Sequence, residues 1–343
     1  MGEDDLVDWL RARTAGGRGA SGDVEAGSPI GDDCAFLVPG LLDGRASELA
    51  ATTDQQIEGV HFLPGVEQPV VARRLLAVNL SDLAAVGARP AWALVALALP
   101  PGLEPRPFLD AFIDAAADFG VELVGGDVAR AERFAATATL LGLRRAPGAF
   151  RRRDEARVGD SLWLGGSVGE AALGLALQHL GAHLDGTVVH LPPGLDRDLD
   201  SAAQRDAARR AVRRHLAPRP QLELGAWLAE QPRAAVIDVS DGLARDLHRL
   251  CRASGVGAAL EAEHLPLAPQ AAELARRIER DAFHDALGGG EDYVLLFTLP
   301  AGIEPPTRHG ARRVGRIVAE PAVELVRGAR RELLPPTGFD HLA

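Results

Sequence analysis

A set of aspartates stands where short apolar runs break into glycine, serine or threonine. They are Asp32 and Asp33 in GDDCAFL, Asp54 in TTDQQIEGVHF, Asp82 in NLSDLAAVG, Asp127 in VGGDVAR, and Asp238 and Asp241 in VIDVSDG. Most of these positions read as the end of a buried strand, from which an oxygen ligand can project off a rigid sheet edge into a cleft. Carboxylates gathered in one low-dielectric cleft repel one another by several kcal/mol unless cations sit among them, so the pattern predicts hard divalent ions, most simply magnesium with a polyphosphate. Singly, each residue has a plainer reading as a helix cap, turn or surface ion pair. It is the set that points to metal.

The chain also contains no lysine. A Walker A loop places lysine on the β- and γ-phosphates, so any nucleotide here is held in another way. The net charge of −11 argues against nucleic acid or an anionic membrane as partner, since both call for a basic surface. At 343 residues and 47% hydrophobic, the chain is long enough for two cores. Cys34 and Cys251 lie in apolar patterns without CxxC spacing, which predicts reduced, buried thiols and a cytoplasmic protein. The acidic start MGEDDLVDWL lacks the order of a signal peptide, and the apolar stretch Trp92 to Leu99 is too short to span a bilayer.

The periodicity predicts a short helix from Asp5 to Arg13, a polar glycine-rich loop, and strands at Cys34 to Val38, Glu48 to Thr53 and Leu94 to Leu99. Helices are expected from Gln68 to Val86, stopping at Gly87, and from Pro107 to Phe119. VELVGGD and FAATATLLGL read as further strands. The charged, Pro- and Gly-containing segment 146–160 marks a domain boundary, giving domains of 1–150 and 151–343. Beyond it, SLWLGG reads as a strand, LGGSVGE as a turn opening a helix, and 194–215 as a solvated helix. VIDVSDGL reads as a strand and turn entering a helix capped by Ser240 or Asp241 and ended by Gly255, and DALGGGEDYVLLFTLP as a glycine turn feeding a strand. The turns GGDVAR, LGGSVGE and LGGGEDY each allow backbone amides to approach an anion, and the helix opened by LGGSVGE would favour a phosphate. His61 reads as either a structural residue or a ligand. Arg130 and the run Arg151, Arg152, Arg153 read as either phosphate partners or a solvated linker, and Trp9, Trp92, Trp163 and Trp227 as core.

GDDCAFL, TTDQQIEGVHF, NLSDLAAVGARP, GGDVAR, IDVSDGL, LGGGEDY and the terminal GFDHL together resemble the thiamine-monophosphate kinase family. Its superfamily also holds aminoimidazole ribonucleotide synthetase, selenophosphate synthetase and a hydrogenase-maturation enzyme. The resemblance implies an α/β, two-domain, aminoimidazole ribonucleotide synthetase-like fold, with an N-terminal mixed sheet whose helices form a homodimer interface and a C-terminal α/β domain. It implies ATP and several Mg²⁺ ions in the interdomain cleft, and conversion of thiamine monophosphate and ATP to thiamine diphosphate and ADP. Carried over residue by residue, metal ligands fall on Asp33, Thr52, Thr53, Asp54, Asp82, Asp127, Asp238 and Asp241. Nucleotide contacts fall on Phe119, Gly126, Asp127, Arg153 and Ser240, and substrate contacts on His61, Glu291 and Phe339. Val128 and Ala129 replace threonines usual in the family, Phe119 and Phe339 stand where tyrosine is common, and Gln55 and Gln56 replace a small apolar pair.

The implied acceptor is a phosphate monoester, largely a dianion at neutral pH, so no general base or covalent nucleophile is expected. Electrostatic work falls to Asp82, Asp127 and Asp238. Of the rivals, selenophosphate synthesis needs a reactive Cys and a Lys that this chain lacks in its N-terminal loop, and hydrogenase maturation needs a C-terminal Cys tail where this chain ends GFDHLA. Aminoimidazole ribonucleotide synthesis, a silent nucleotide sensor and a metal-dependent phosphatase stay open at this level.

Overall fold

The computed structural model describes residues 5, 6, 8, 9, 32–37, 48–145 and 147–340. The expected glycine-rich N-terminal loop lies outside them, as does most of the first expected helix, of which residues 5, 6, 8 and 9 are helical.

Two sheets organise the chain. The first is five-stranded, in the order β1-β2-β5-β3-β4, from β1 (Ala35–Leu37), β2 (Leu49–Ile57), β3 (Arg89–Leu99), β4 (Glu122–Arg130) and β5 (Ala135–Leu143). All neighbours run antiparallel except β3 and β4. Helices α1 (Gln68–Ala85) and α2 (Arg106–Asp118) pack with this sheet over a core containing Leu75, Leu80, Leu83, Phe108, Phe112, Val95 and Leu140. β4 is an edge strand and almost wholly exposed. Val124 and Val128 on it, with Leu94 on β3, leave an apolar stretch open.

The second sheet is seven-stranded: β14 (Arg330–Leu333), β13 (Val323–Arg327), β10 (Gly257–Glu261), β12 (Arg312–Val318), β6 (Ser161–Leu164), β11 (Leu295–Leu299) and β9 (Val236–Asp238). Around it stand α3 (Glu170–His179), α4 (Pro193–Asp198), α5 (Ala202–Leu216), α6 (Leu222–Ala229), α7 (Leu243–Ser254), α8 (Pro269–Arg277) and α9 (Ala282–Gly288), with a small hairpin of β7 (His183–Asp185) and β8 (Val188–His190).

The helix α1 joins the two halves. Its sequence is apolar nearly all round, the pattern of a helix buried on every side. One face meets the first sheet, while Ala84 and Ala85 enter a cluster with Trp163, Leu224, Leu228, Val236 and Phe297 of the second domain. Pro69 lies in its first turn, where the missing N–H costs nothing. Gly87 ends it at φ +70°, a backbone state that favours glycine, with its N–H donating to Ala84 O at 3.0 Å.

Several expectations change. The segment expected as one solvated helix is two helices, and α5 buries Ala207, Ala208, Ala211, Val212 and Leu216. Its alanines form a flat stripe against α3: a Cβ added at Gly174 would meet Ala211 O at 2.0 Å. DALG is helical, forming the end of α9 before the glycine turn. Trp9 is exposed rather than core. Cys34 and Cys251 are free and buried, as expected. Among the described residues, no helix is long and apolar enough to cross a membrane.

Where α6 crosses α1, a Cβ on Gly225 would lie 2.0 Å from Ala84 O. Gly225→Ala is therefore expected to force the helices apart and to destabilise the fold by about 1–3 kcal/mol, read as a lower midpoint in denaturant.

Candidate active site

Asp33 precedes β1, Asp82 sits in the last turns of α1, and Asp238 is the final residue of β9. One carboxylate oxygen from each lies within 4.8 Å of those of the other two. Elements from both domains thus converge on one point. Ser81 Oγ donates to Asp238 Oδ2 at 2.6 Å, fastening α1 to the second sheet, and Thr52 Oγ1 donates to Asp82 Oδ2 at 2.5 Å.

Charge at this point is unbalanced. Arg153 reaches Asp33 bidentately, Nη2 to Oδ1 at 2.8 Å and Nε to Oδ2 at 3.2 Å. Burial opposes its charge, but Asp33 and Asp32 hold the guanidinium above its ordinary range. Its charge also opposes the rise at Asp32 and Asp238 without overcoming it. Burial, then the charges of Asp54, Asp238 and Asp33, push Asp82 well above the usual carboxylate range. Burial and Asp33 do the same to Asp238. Asp32 is pushed up to about 7 by burial and by Asp33. All-oxygen donors so close together fit a hard divalent cation of the Mg²⁺ or Ca²⁺ kind. Cys34 is buried beside them, and burial together with Asp82 and Asp33 raises its thiol well above the ordinary range, so it offers no thiolate for a soft metal.

The cluster opens into a cleft of about 560 Å³, a size suited to a small-molecule substrate. Of the residues singled out in the sequence, Asp54, His61, Asp82, Arg153, Asp238, Ser240, Asp241, Glu291 and Phe339 line it. Asp33 belongs to the cluster, and Thr52 supports it. Arg249 and Arg252 also line the cleft and supply positive charge that no lysine provides.

Other expected residues are placed elsewhere. The hydroxyl of Thr53 donates to Ala138 O at 3.1 Å and accepts from Thr139 Oγ1 at 3.1 Å within the sheet. Phe119 follows α2, and Gly126 and Asp127 lie on β4; none lines the cleft of its own chain. Asp127 is in register with Ala96, Thr137 and Gln55, so β3 and β5 intervene before β2, a span of roughly 14 Å. Asp241 accepts from Arg249 Nη1 at 2.5 Å.

Two local expectations are corrected. Neither Ser240 nor Asp241 caps α7: its N-cap is Gly242, and the Asp246 carboxylate reaches back to the amides of Ser240 and Asp241, each at 3.1 Å. Burial and Asp241 push Asp246 up to about 7. The helix opened by LGGSVGE has its amides already occupied. Gly169 N and Ala171 N donate to the Asp292 carboxylate at 2.7 and 3.2 Å, so an internal anion sits where a phosphate was expected. Arg130 is structural as well, donating to Pro100 O and Leu103 O.

Arg249 and Arg252 were not singled out in the sequence, and neither was Arg74. Arg74 is wholly buried on α1 and ion-paired with Glu291. Its signal was present as a guanidinium within the apolar run Val70, Val71, Leu75, Leu76 and Val78, beside the second arginine Arg73.

Residues 31–143 match the model of the AIR synthase related protein family, N-terminal domain. The thiamine-monophosphate kinase of Salmonella typhimurium is 38% identical over 284 residues, 81% of this chain and 77% of that protein. Its namesake from Synechococcus elongatus is 33% identical over 327 residues, 91% and 90% of the two chains. Among solved structures, AaThiL complexed with AMPPCP and TMP has a TM-score of 0.78 at 27% identity, covering 99% of this chain and 97% of that one. Thiamine monophosphate kinase from Aquifex aeolicus has a TM-score of 0.72 at 28% identity, covering 96% and 98%. Residues 31–143 are therefore an AIR synthase related N-terminal domain. Within that class, the chain belongs to the thiamine-monophosphate kinase family.

Because like charges crowd the cluster, removing one is expected to relieve the metal-free protein. Asp82→Asn should melt at or above the wild-type temperature without metal at neutral pH. Millimolar Mg²⁺ should raise the wild-type melting temperature by several degrees and leave Asp82→Asn nearly unmoved, as followed by thermal denaturation.

Proposed function

We propose that this chain transfers the γ-phosphate of ATP directly to the phosphate of thiamine monophosphate, giving thiamine diphosphate and ADP. The observation that carries the reading is the convergence of Asp33, Asp82 and Asp238 on a cleft shared by both domains, in a member of this family.

The acceptor is already ionised near neutral pH, so the residues need not remove a proton from it. The barrier is the approach of one anion to another. Asp33, Asp54, Asp82 and Asp238 would hold divalent cations, taken here as Mg²⁺, and such ions supply positive charge between donor and acceptor oxygens. Arg153, held by Asp33, and Arg249, held by Asp241 and Asp246, present guanidinium groups to the same cleft. His61 is oriented by the Ile57 amide, which donates to its Nδ1 at 3.1 Å. His61, Glu291 and Phe339 would then contact the organic part of the substrate, and Ser240 the nucleotide. The chain's contribution is placement and charge, with no covalent intermediate.

We further infer a homodimer through the first sheet, supported by exposed Leu94, Val124 and Val128 beside the open edge of β4. Phe119, Gly126 and Asp127 would take part in nucleotide or metal binding through that assembly. A cytoplasmic location is supported by the two buried, unpaired thiols.

The direct test is chromatography after incubation with ATP, Mg²⁺ and thiamine monophosphate. Thiamine diphosphate should form in step with ADP and vanish on chelation of the metal. Asp82→Asn should lower kcat about a hundredfold or more while the protein stays folded. Phosphate release without ATP would instead indicate a phosphatase, and an unimpaired Asp82→Asn enzyme would contradict the electrostatic role.

A further inference from the structure

The charge in the cleft that the phosphoryl chemistry does not use is Glu291. Its backbone is in the left-handed region at φ +63°, after Gly290 at φ +66°, and its N–H donates to Ser240 O at 2.7 Å. A side-chain-bearing residue persists there only when its surroundings fix it, and such residues concentrate at functional sites. The surroundings are visible. Arg74, from the first domain, is fully buried and pairs with the Glu291 carboxylate. His215 Nε2 lies 3.8 Å from the same oxygen, Oε2.

Arg74 is itself fixed from behind. Its Nε donates to Gln56 Oε1 at 2.9 Å, and its Nη1 donates to the His215 carbonyl. Gln178 Nε2 stands 2.9 Å from His215 Nδ1. An amide donor at Nδ1 leaves the proton on Nε2, facing Glu291. Burial, with Arg74 and His179, holds His215 well below its ordinary range, so the ring is a neutral donor. Burial lowers Arg74 from its ordinary range, against the charges of Tyr293 and Asp54, and a buried guanidinium requires a compensating anion beside it. Glu291 keeps 27% of its side chain exposed, on the cleft.

We propose that Arg74 is a positioning residue for substrate specificity: together with Gln56, it holds the Glu291 carboxylate oriented on the cleft wall to receive the cationic, amine-bearing organic part of the acceptor. This inference rests on the functional reading above, since thiamine monophosphate carries a thiazolium charge and an aminopyrimidine donor. Both favour an anionic acceptor. Arg74 acts through Glu291 and touches neither phosphate nor metal.

The test is steady-state kinetics on wild type, Arg74→Met, Glu291→Gln and the double variant, with thermal melts alongside. Arg74→Met is expected to raise KM for thiamine monophosphate tenfold or more and to leave KM for ATP within about twofold. The double variant should be no worse than the poorer single variant, because both substitutions remove one interaction. Arg74→Lys, which keeps the charge without the fork, should recover part of the loss. Multiplying effects in the double variant, or an equal rise in both KM values, would overturn the proposal. Should Arg74→Met fail to fold, Arg74→Lys and Gln56→Leu carry the test: each should raise KM for thiamine monophosphate alone, and unchanged values in both would overturn it. Wild-type protein that forms no thiamine diphosphate refutes the functional reading and this inference together; an active wild type with an unaffected Arg74→Met refutes the inference alone.

Discussion

Carboxylates whose oxygens lie within 4.8 Å of one another, away from bulk water, cannot all carry charge unless positive charge stands among them. Arg153 pairs with Asp33 and partly offsets the rise at Asp238, but Asp82 and Asp238 keep raised proton affinity, with hydroxyl donors Thr52 and Ser81 on them. This unresolved repulsion sets the chemistry of the cleft. A protein could relieve it by protonation, at the loss of any electrostatic use, or by taking up hard divalent cations. The all-oxygen donor set and the adjoining cleft fit the second.

The architecture places that repulsion where it can be used. Asp33 and Asp82 belong to the first domain, and Asp238 to the second. The apposition is maintained by α1, which is apolar on both faces and closely packed against Gly225 of α6. The same helix presents Arg74 to Glu291 further along its length. One buried element therefore brings Ser81 and Asp82 to the carboxylate cluster and Arg74 to Glu291. The same buried helix packs against both sheets and carries residues of the cleft, so changes in the α1 packing are expected to reach both ends.

Much of this was legible in the sequence. The helix Gln68 to Val86 with its stop at Gly87 was readable because an apolar run, a first-turn proline and a terminal glycine all agree. The strand end bearing Asp238 was readable from an apolar run meeting turn residues, whereas the strand expected to stop at Thr53 runs on to Ile57 and holds Asp54 inside it. The failures share a cause: a local pattern carries no record of what a distant segment brings to it. LGGSVGE has the form of an anion site, but Asp292, far along the chain, fills it. Helix α5 looks solvated because alanine and arginine alternate, but α3 meets its alanine stripe through Gly174. Asp127 has the same flanking glycines as a cleft residue, yet strand order puts it on the edge at β4, across the sheet from β2. Arg74 stands beside Arg73 in the helix, and nothing local distinguishes the one that is buried against a partner far along the chain, Glu291.

The account turns on whether the buried carboxylates hold cations. Crystals grown with Mn²⁺ in place of Mg²⁺, together with a non-hydrolysable ATP analogue, allow the ions to be located by anomalous scattering. The account predicts at least one strong peak bonded to oxygens of Asp33, Asp82 and Asp238. A fully occupied nucleotide with no anomalous density at these carboxylates would contradict it.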